Sequence, residues 1–177
     1  MSEINALRDL LVDSFTRVAK LVEQLTDGLT EEVATYRADA EANSVAWLLW
    51  HLSRVQDDHV AGLAGTEQAW PDWRDRFALP FDSDETGYAQ PPAAVAEVRV
   101  PGSLLAAYHA EVHQRTLAYL GSITVEELGR VVDENWEPPV TVAVRLVSVV
   151  GDTLQHLGQA AYVAGLAARA ATGPQAG

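Results

Sequence analysis

The 177-residue chain has no cysteine, one methionine and one lysine, Lys20. Without cysteine there is neither a disulfide nor a protein thiol to serve as nucleophile, so any sulfur chemistry must use a thiol brought from outside. Positive charge is scarce too: 12 Lys and Arg stand against 25 Asp and Glu, a net charge of -13. Such a surface repels phosphate backbones and anionic bilayers, which excludes nucleic acid and a membrane as expected partners. No uninterrupted apolar stretch approaches the roughly 18 residues of a membrane span, and the opening MSEINALRDLLVDSF carries acids where a signal peptide needs basic residues. The expectation is a cytoplasmic protein. Arginine in large excess over lysine and abundant alanine are the bias of high-GC genomes and point to an actinobacterial source.

What the chain does have is apolar residues at helical spacing. A chain of this length buries about 70% of the surface it exposes when unfolded, enough for one domain with a substantial core. We expect that domain over residues 1–170, with ATGPQAG, residues 171–177, as a frayed tail. Ile4, Leu7, Leu11, Phe15, Val18, Leu21, Val22 and Leu25 recur at threes and fours, which predicts a helix over Ile4–Thr26 that stops at Gly28. Asn43 or Ser44 caps a second helix with a core stripe of Val45, Leu48, Leu49, Leu52 and Val55. Between Gly65 and Gly102 five prolines leave room for no element longer than a turn or two. A third helix begins after Pro101, with Leu104, Leu105, Tyr108, Val112 and Tyr119 on one face. Thr124 heads a short turn, TVEEL, with Glu127 placed for a capping box. Pro138 and Pro139 set the start of a fourth helix that runs to about Arg169. The predicted fold class is all-α, a four-helix bundle with no strand pattern. The long connection between helices two and three lets those two run parallel, which predicts an up-down-down-up order.

The fourth helix carries DTLQHLGQ within a run that is otherwise almost wholly apolar. Asp152 and His156 fall about 40° apart on that helix and within roughly 6 Å, the spacing that two ligands of one ion require. Two protein ligands hold an ion loosely, so a third is expected from the second helix, where His51 lies at the edge of the core stripe. Asp58 shares the angular face of His51 but sits about 10.5 Å further along the axis, too far to bind the same ion. His59 falls near the middle of the stripe and is expected in the core or behind the ligands.

The segments NSVAWLLWHLSRVQDDHV and DTLQHLGQAAYVAGL resemble the metal-binding motifs of the DinB superfamily, and with the helix pattern the resemblance spans nearly the whole chain. Within that superfamily the chain is most similar to actinobacterial members related to mycothiol-dependent maleylpyruvate isomerases. The resemblance implies a divalent metal held by His51, Asp152 and His156, zinc foremost, with nickel, manganese or iron compatible. Aspartate at 152 stands where relatives carry histidine or glutamate, and Ala164 where many carry arginine. The implied activity is that of a thiol transferase or isomerase: the ion activates a low-molecular-weight thiol, mycothiol, for attack on an electrophilic small molecule. Trp50, Trp70, Trp73 and Trp136 are candidates for the pocket wall, Arg54 for steadying an anionic group, and Gln159 for orienting a ligand or water. Bundles of this superfamily often pair, so a homodimer is a further expectation.

Each assignment has a plainer rival. Asp152 and His156 also suit an intrahelical hydrogen bond, the tryptophans suit packing, and an isolated histidine at a stripe edge is usually a packed one. His109 and His113 share the four-residue spacing but fall about 100° and 140° from Tyr108, which places them on a solvated face without a partner helix. The acidic DSDET loop, Asp82 to Thr86, lacks the glycine and glutamate of a calcium loop and is expected to be solvated. At the level of function the alternatives are a non-catalytic bundle that binds a metal or small ligand for sensing, storage or stress, and a purely structural bundle.

Overall fold

The computed structural model describes residues 3–172. Four long helices form the bundle: α1 (Glu3–Thr26), α3 (Val45–Ala64), α6 (Gly102–Ser122) and α8 (Val142–Thr172), with short helices α2 (Glu31–Thr35), α4 (Trp70–Phe77), α5 (Pro92–Glu97) and α7 (Val125–Gly129) in the connections. Around the bundle the order is α1, α6, α3, α8, so α1 and α3 face each other across the diagonal. Named contacts fix the directions. Arg8 near the start of α1 bonds the Ile123 carbonyl at 2.6 Å just past the end of α6, so these two run antiparallel. Ser53 meets His109 and Gln56 meets Thr116, so α3 and α6 run parallel. The His51 ring packs on His156 while Leu63 shares a core cluster with Leu146, so α3 and α8 run antiparallel. The order is therefore up-down-down-up.

Local chemistry accounts for the helix ends. The Ser44 hydroxyl accepts from the Trp47 N–H at 3.2 Å and starts α3, and Gly65, at φ 66°, ends it in the left-handed conformation that suits glycine. Thr124 accepts from the Glu127 N–H at 3.0 Å, as a cap should, but the Glu127 carboxylate turns to Tyr119 and Arg130, so only half of the expected capping box forms.

Four expectations need correction. The prolines do not start the fourth helix directly; a two-stranded antiparallel ribbon, β1 (Val131–Asp133) with β2 (Val140–Thr141), comes first, made by β-branched residues that favour extended backbone. That helix runs on to Thr172, so Ala171 and Thr172 belong to it, and residues 173–177 of the expected tail lie outside the described residues. Leu7 and Leu21 are more than 40% exposed, because α1 buries only the arc around Phe15, Val18 and Val22. Likewise Leu154 is exposed, and the buried stripe of α8 runs through Leu146, Val149, Thr153, Leu157 and Ala160, one step round toward His156.

A buried carboxylate pins the first part of the long α3–α6 connection to the bundle. Ala69, which precedes α4, has no side-chain cap of its own; Asp57 of α3 accepts from the Ala69 and Trp70 N–H groups at 2.9 and 2.8 Å and so supplies one. The same carboxylate accepts from the Tyr108 hydroxyl at 2.8 Å and lies 3.6 Å from the Arg54 guanidinium. Among the described residues no helix is long and apolar enough to cross a membrane.

Candidate metal centre

The antiparallel packing of α3 on α8 brings His51, Asp152 and His156 together, with one ligand atom of each lying within 4.8 Å of the others. His51 is buried, His156 half-buried, and Asp152 the most open of the three. His156 Nε2 stands 3.5 Å from Asp152 Oδ1. Two ligands at about 2.1 Å from a tetrahedral zinc lie about 3.4 Å apart, so this pair already has the separation an ion requires.

The surroundings of each imidazole decide which nitrogen is free. His51 Nδ1–H donates to the Thr86 carbonyl at 2.6 Å, and His156 Nδ1–H donates to Gln159 Oε1 at 3.1 Å. Both rings are thereby set to leave Nε2 as the lone pair, the arrangement in which metal-ligating histidines are usually held. Asp152 Oδ2 is buried without a hydrogen-bond partner, an unmet acceptor that a cation would satisfy. These donors fit a divalent ion of the zinc, nickel or iron type.

Charge is arranged to the same end. Burial holds His51 below the ordinary imidazole value, against the opposing pull of the Thr86 carbonyl, so its lone pair is available at neutral pH. The hydrogen bond with Asp152 raises His156, and the same bond with His156 lowers Asp152. Without an ion, then, the Asp152 carboxylate favours a proton on Nε2, in the place a cation would take.

One wall of the centre comes from residues that carried no signal in the sequence reading. Trp47, one turn before His51, stacks on its ring at 4.7 Å and 16°, and its indole N–H donates to Gln90 at 2.8 Å. The loop holding Thr86 then crosses directly over His51: a Cβ on Gly87, at φ +96°, would come within 2.8 Å of His51 Nδ1. Only Asp82 to Asp84 of the DSDET segment are solvated, since the Glu85 and Thr86 carbonyls turn inward to Arg54 and His51. The signal that could have found Trp47 is its place one turn before His51. A backbone carbonyl at 86 has no side-chain signature.

Other candidates sit elsewhere. Arg54 is fully buried, bonded to Gln68 at 2.8 Å and the Glu85 carbonyl at 3.1 Å and stacked over Trp70, so it does not face an opening. Trp50, Trp70 and Trp73 are core residues, and Trp136 lies exposed between β1 and β2, ahead of α8. His59 is not in the core; its side chain is 37% exposed, next to Asp58, but it lies near enough to Asp152 for each to act on the other's charge. His109 and His113 are not solvated, for α6 packs on both α1 and α3 and its buried arc is wide enough to take them in.

A family model described as mycothiol-S-transferase matches residues 10–167. The chain belongs to that family. A crystal structure of a conserved protein from Enterococcus faecalis is similar at 34% identity and a TM-score of 0.81, over 88% of this chain and 94% of the other. No protein of curated function matches. The mycothiol-S-transferase family is DinB-like, so the superfamily resemblance of the two helical motifs holds across the fold.

Proposed function

We propose that the protein is a divalent-metal-dependent S-transferase: His51, Asp152 and His156 hold the ion, and a mycothiol-type thiol attacks an electrophilic small molecule beside it. One observation carries this reading above the others. Two helices from distant parts of the sequence present three ligand atoms to one point, with both Nδ1 groups tied off to Thr86 and Gln159.

When bound, the ion supplies what a cysteine-free chain lacks, the capacity to hold an external thiol as thiolate at neutral pH. The chain supplies the rest. Thr86 and Gln159 fix the two imidazole planes, Trp47 covers the face of His51, and Asp152 keeps the more exposed side of the centre, where solvent and substrates have access. An ion held by these three side chains would keep room for an external thiol, as catalytic sites of this type require.

The test is metal content followed by turnover. Protein purified without chelators is expected to hold about one divalent ion per chain, with His51→Ala and His156→Ala each losing it. Loaded protein is expected to consume mycothiol in the presence of an alkylating electrophile such as monobromobimane. Full occupancy in both variants would remove the ligand assignment. Saturable metal binding with no thiol consumption across a panel of electrophiles would instead support a non-catalytic binding protein.

A further inference from the structure

A thiol that reacts as its thiolate must first lose a proton, and the three candidate ligands cannot take it, since they hold an ion only through bare lone pairs or an ionised carboxylate. The chain has five histidines. His51 and His156 are candidate ligands, and His109 and His113 are buried on α6. His59 is left, with a side chain 37% exposed.

Its place follows from the register of α3 on α8. The rings of His51 and His156 pack 4.7 Å apart, and the two helices run antiparallel. Eight residues onward along α3 carry His59 about 12 Å past His51, while four residues back along α8 carry Asp152 about 6 Å in the same direction. His59 therefore lies about 6 Å beyond Asp152 along the bundle, on the side of the most open ligand. Helical side chains lean toward the N-terminus of their helix, which tips this ring back toward the metal centre. Asp152 and Arg145, seven residues apart on one face of α8, both act on the charge of His59, so the ring faces that helix.

The same neighbours suit the ring to receive a proton and pass it on. Burial holds His59 below the ordinary imidazole value, and Arg145 adds to this against the pull of Asp58 and Asp152, so the ring is neutral at pH 7 with one nitrogen bare. Arg145 is itself paired with Asp133 at 3.3 Å. Asp58 Oδ2 stands 3.8 Å from His59 Nδ1, beyond hydrogen-bond length but close enough to steady an imidazolium. Water reaches the exposed edge of the ring.

We propose that His59 is the proton acceptor for the incoming thiol, a role that rests on the transferase reading. The S–H bond breaks, its electron pair stays on sulfur, and the proton goes to the bare nitrogen of His59. The net charge of the site does not change, because the thiolate is matched by an imidazolium beside Asp58. Water then takes the proton from the ring.

The experiment uses full-length, zinc-loaded protein with mycothiol and monobromobimane between about pH 6 and 9.5, a range that spans the imidazole and the free thiol. Wild-type kcat is expected to be flat above pH 7, and His59→Gln to lose about 100-fold at pH 7 with metal content and the KM for mycothiol unchanged. The loss is expected to shrink as pH rises toward the ~8.5 of a free thiol, where no acceptor is needed. A second readout needs no turnover. Without electrophile, mycothiol is expected to raise the NMR titration midpoint of the His59 ring through the thiolate charge beside it, and Asp58→Asn to lower that midpoint. A pH-independent loss, an effect on KM alone, or a midpoint indifferent to mycothiol would overturn the role of His59 and leave the transferase reading standing. Wild-type protein that holds zinc but consumes no mycothiol would overturn both.

Discussion

The backbone carbonyl of Thr86 accepts the Nδ1–H of His51 at 2.6 Å, and it reaches that position because the next residue is glycine. A side chain on Gly87 would meet His51 Nδ1 at 2.8 Å and the Trp50 ring at 3.0 Å, and the φ of +96° is one that other residues rarely adopt. Gly87→Val is therefore expected to lift the loop from His51 and release the ring. Loss of such a supporting contact weakens metal affinity about 10- to 100-fold. Competition with a chromogenic chelator checks it; unchanged affinity would mean that the loop does not orient the ligand.

Gln159 plays the corresponding part for His156, at 3.1 Å. Gln159→Leu keeps most of the volume but removes the acceptor, so the tautomer with Nε2 bare loses its support. We expect about a tenfold loss of metal affinity with little change in apoprotein stability, because the position is exposed. Chelator competition and thermal unfolding of the metal-free variant separate the two effects.

The two stretches that carry the three candidate ligands were legible as helices because helical periodicity and ligand spacing obey the same geometry. Asp152 and His156 declare themselves at four residues apart, and the bundle that brings His51 to them follows from four amphipathic stretches and one long connection. What was not legible depends on tertiary contact. Arg54 has the position of a site residue along α3, yet its guanidinium is buried among Asp57, Gln68 and Trp70. His109 and His113 fall off the apolar stripe of α6, but a helix packed on two neighbours has two buried faces, and periodicity from a single stripe shows one.

The Asp57 carboxylate gathers the Ala69 and Trp70 amides and the Tyr108 hydroxyl in a site 3% exposed, with the Arg54 guanidinium beside it. Asp57→Ala leaves those donors and a buried cation unanswered, at a cost of about 3–5 kcal/mol. For a chain of this size that is about 6–20 °C in melting temperature. Calorimetry checks it, and a shift within 2 °C would show that the connection is held by other contacts.

Metal-free protein provides a separate test of the pair on α8 through pH. His156 is raised by Asp152, so its contribution to stability is present below its unfolded value of 6.5 and is lost as pH rises through the higher folded value. Asp152 is lowered by His156, so its contribution is present above 3.8 and is lost as pH falls through the lower folded value. Both hold together between about pH 4 and 6.5. His51 shifts in the opposite sense, lowered chiefly by burial, so the pair is isolated by difference. Asp152→Asn in the apoprotein is expected to destabilise most within that window and progressively less toward pH 8, while the His156 ring resonances titrate at lower pH than in the wild type. Urea unfolding at pH 5.5 and 8 together with the NMR titration reads both, and a pH-independent difference would show that the carboxylate and the imidazole do not share a proton in the absence of metal.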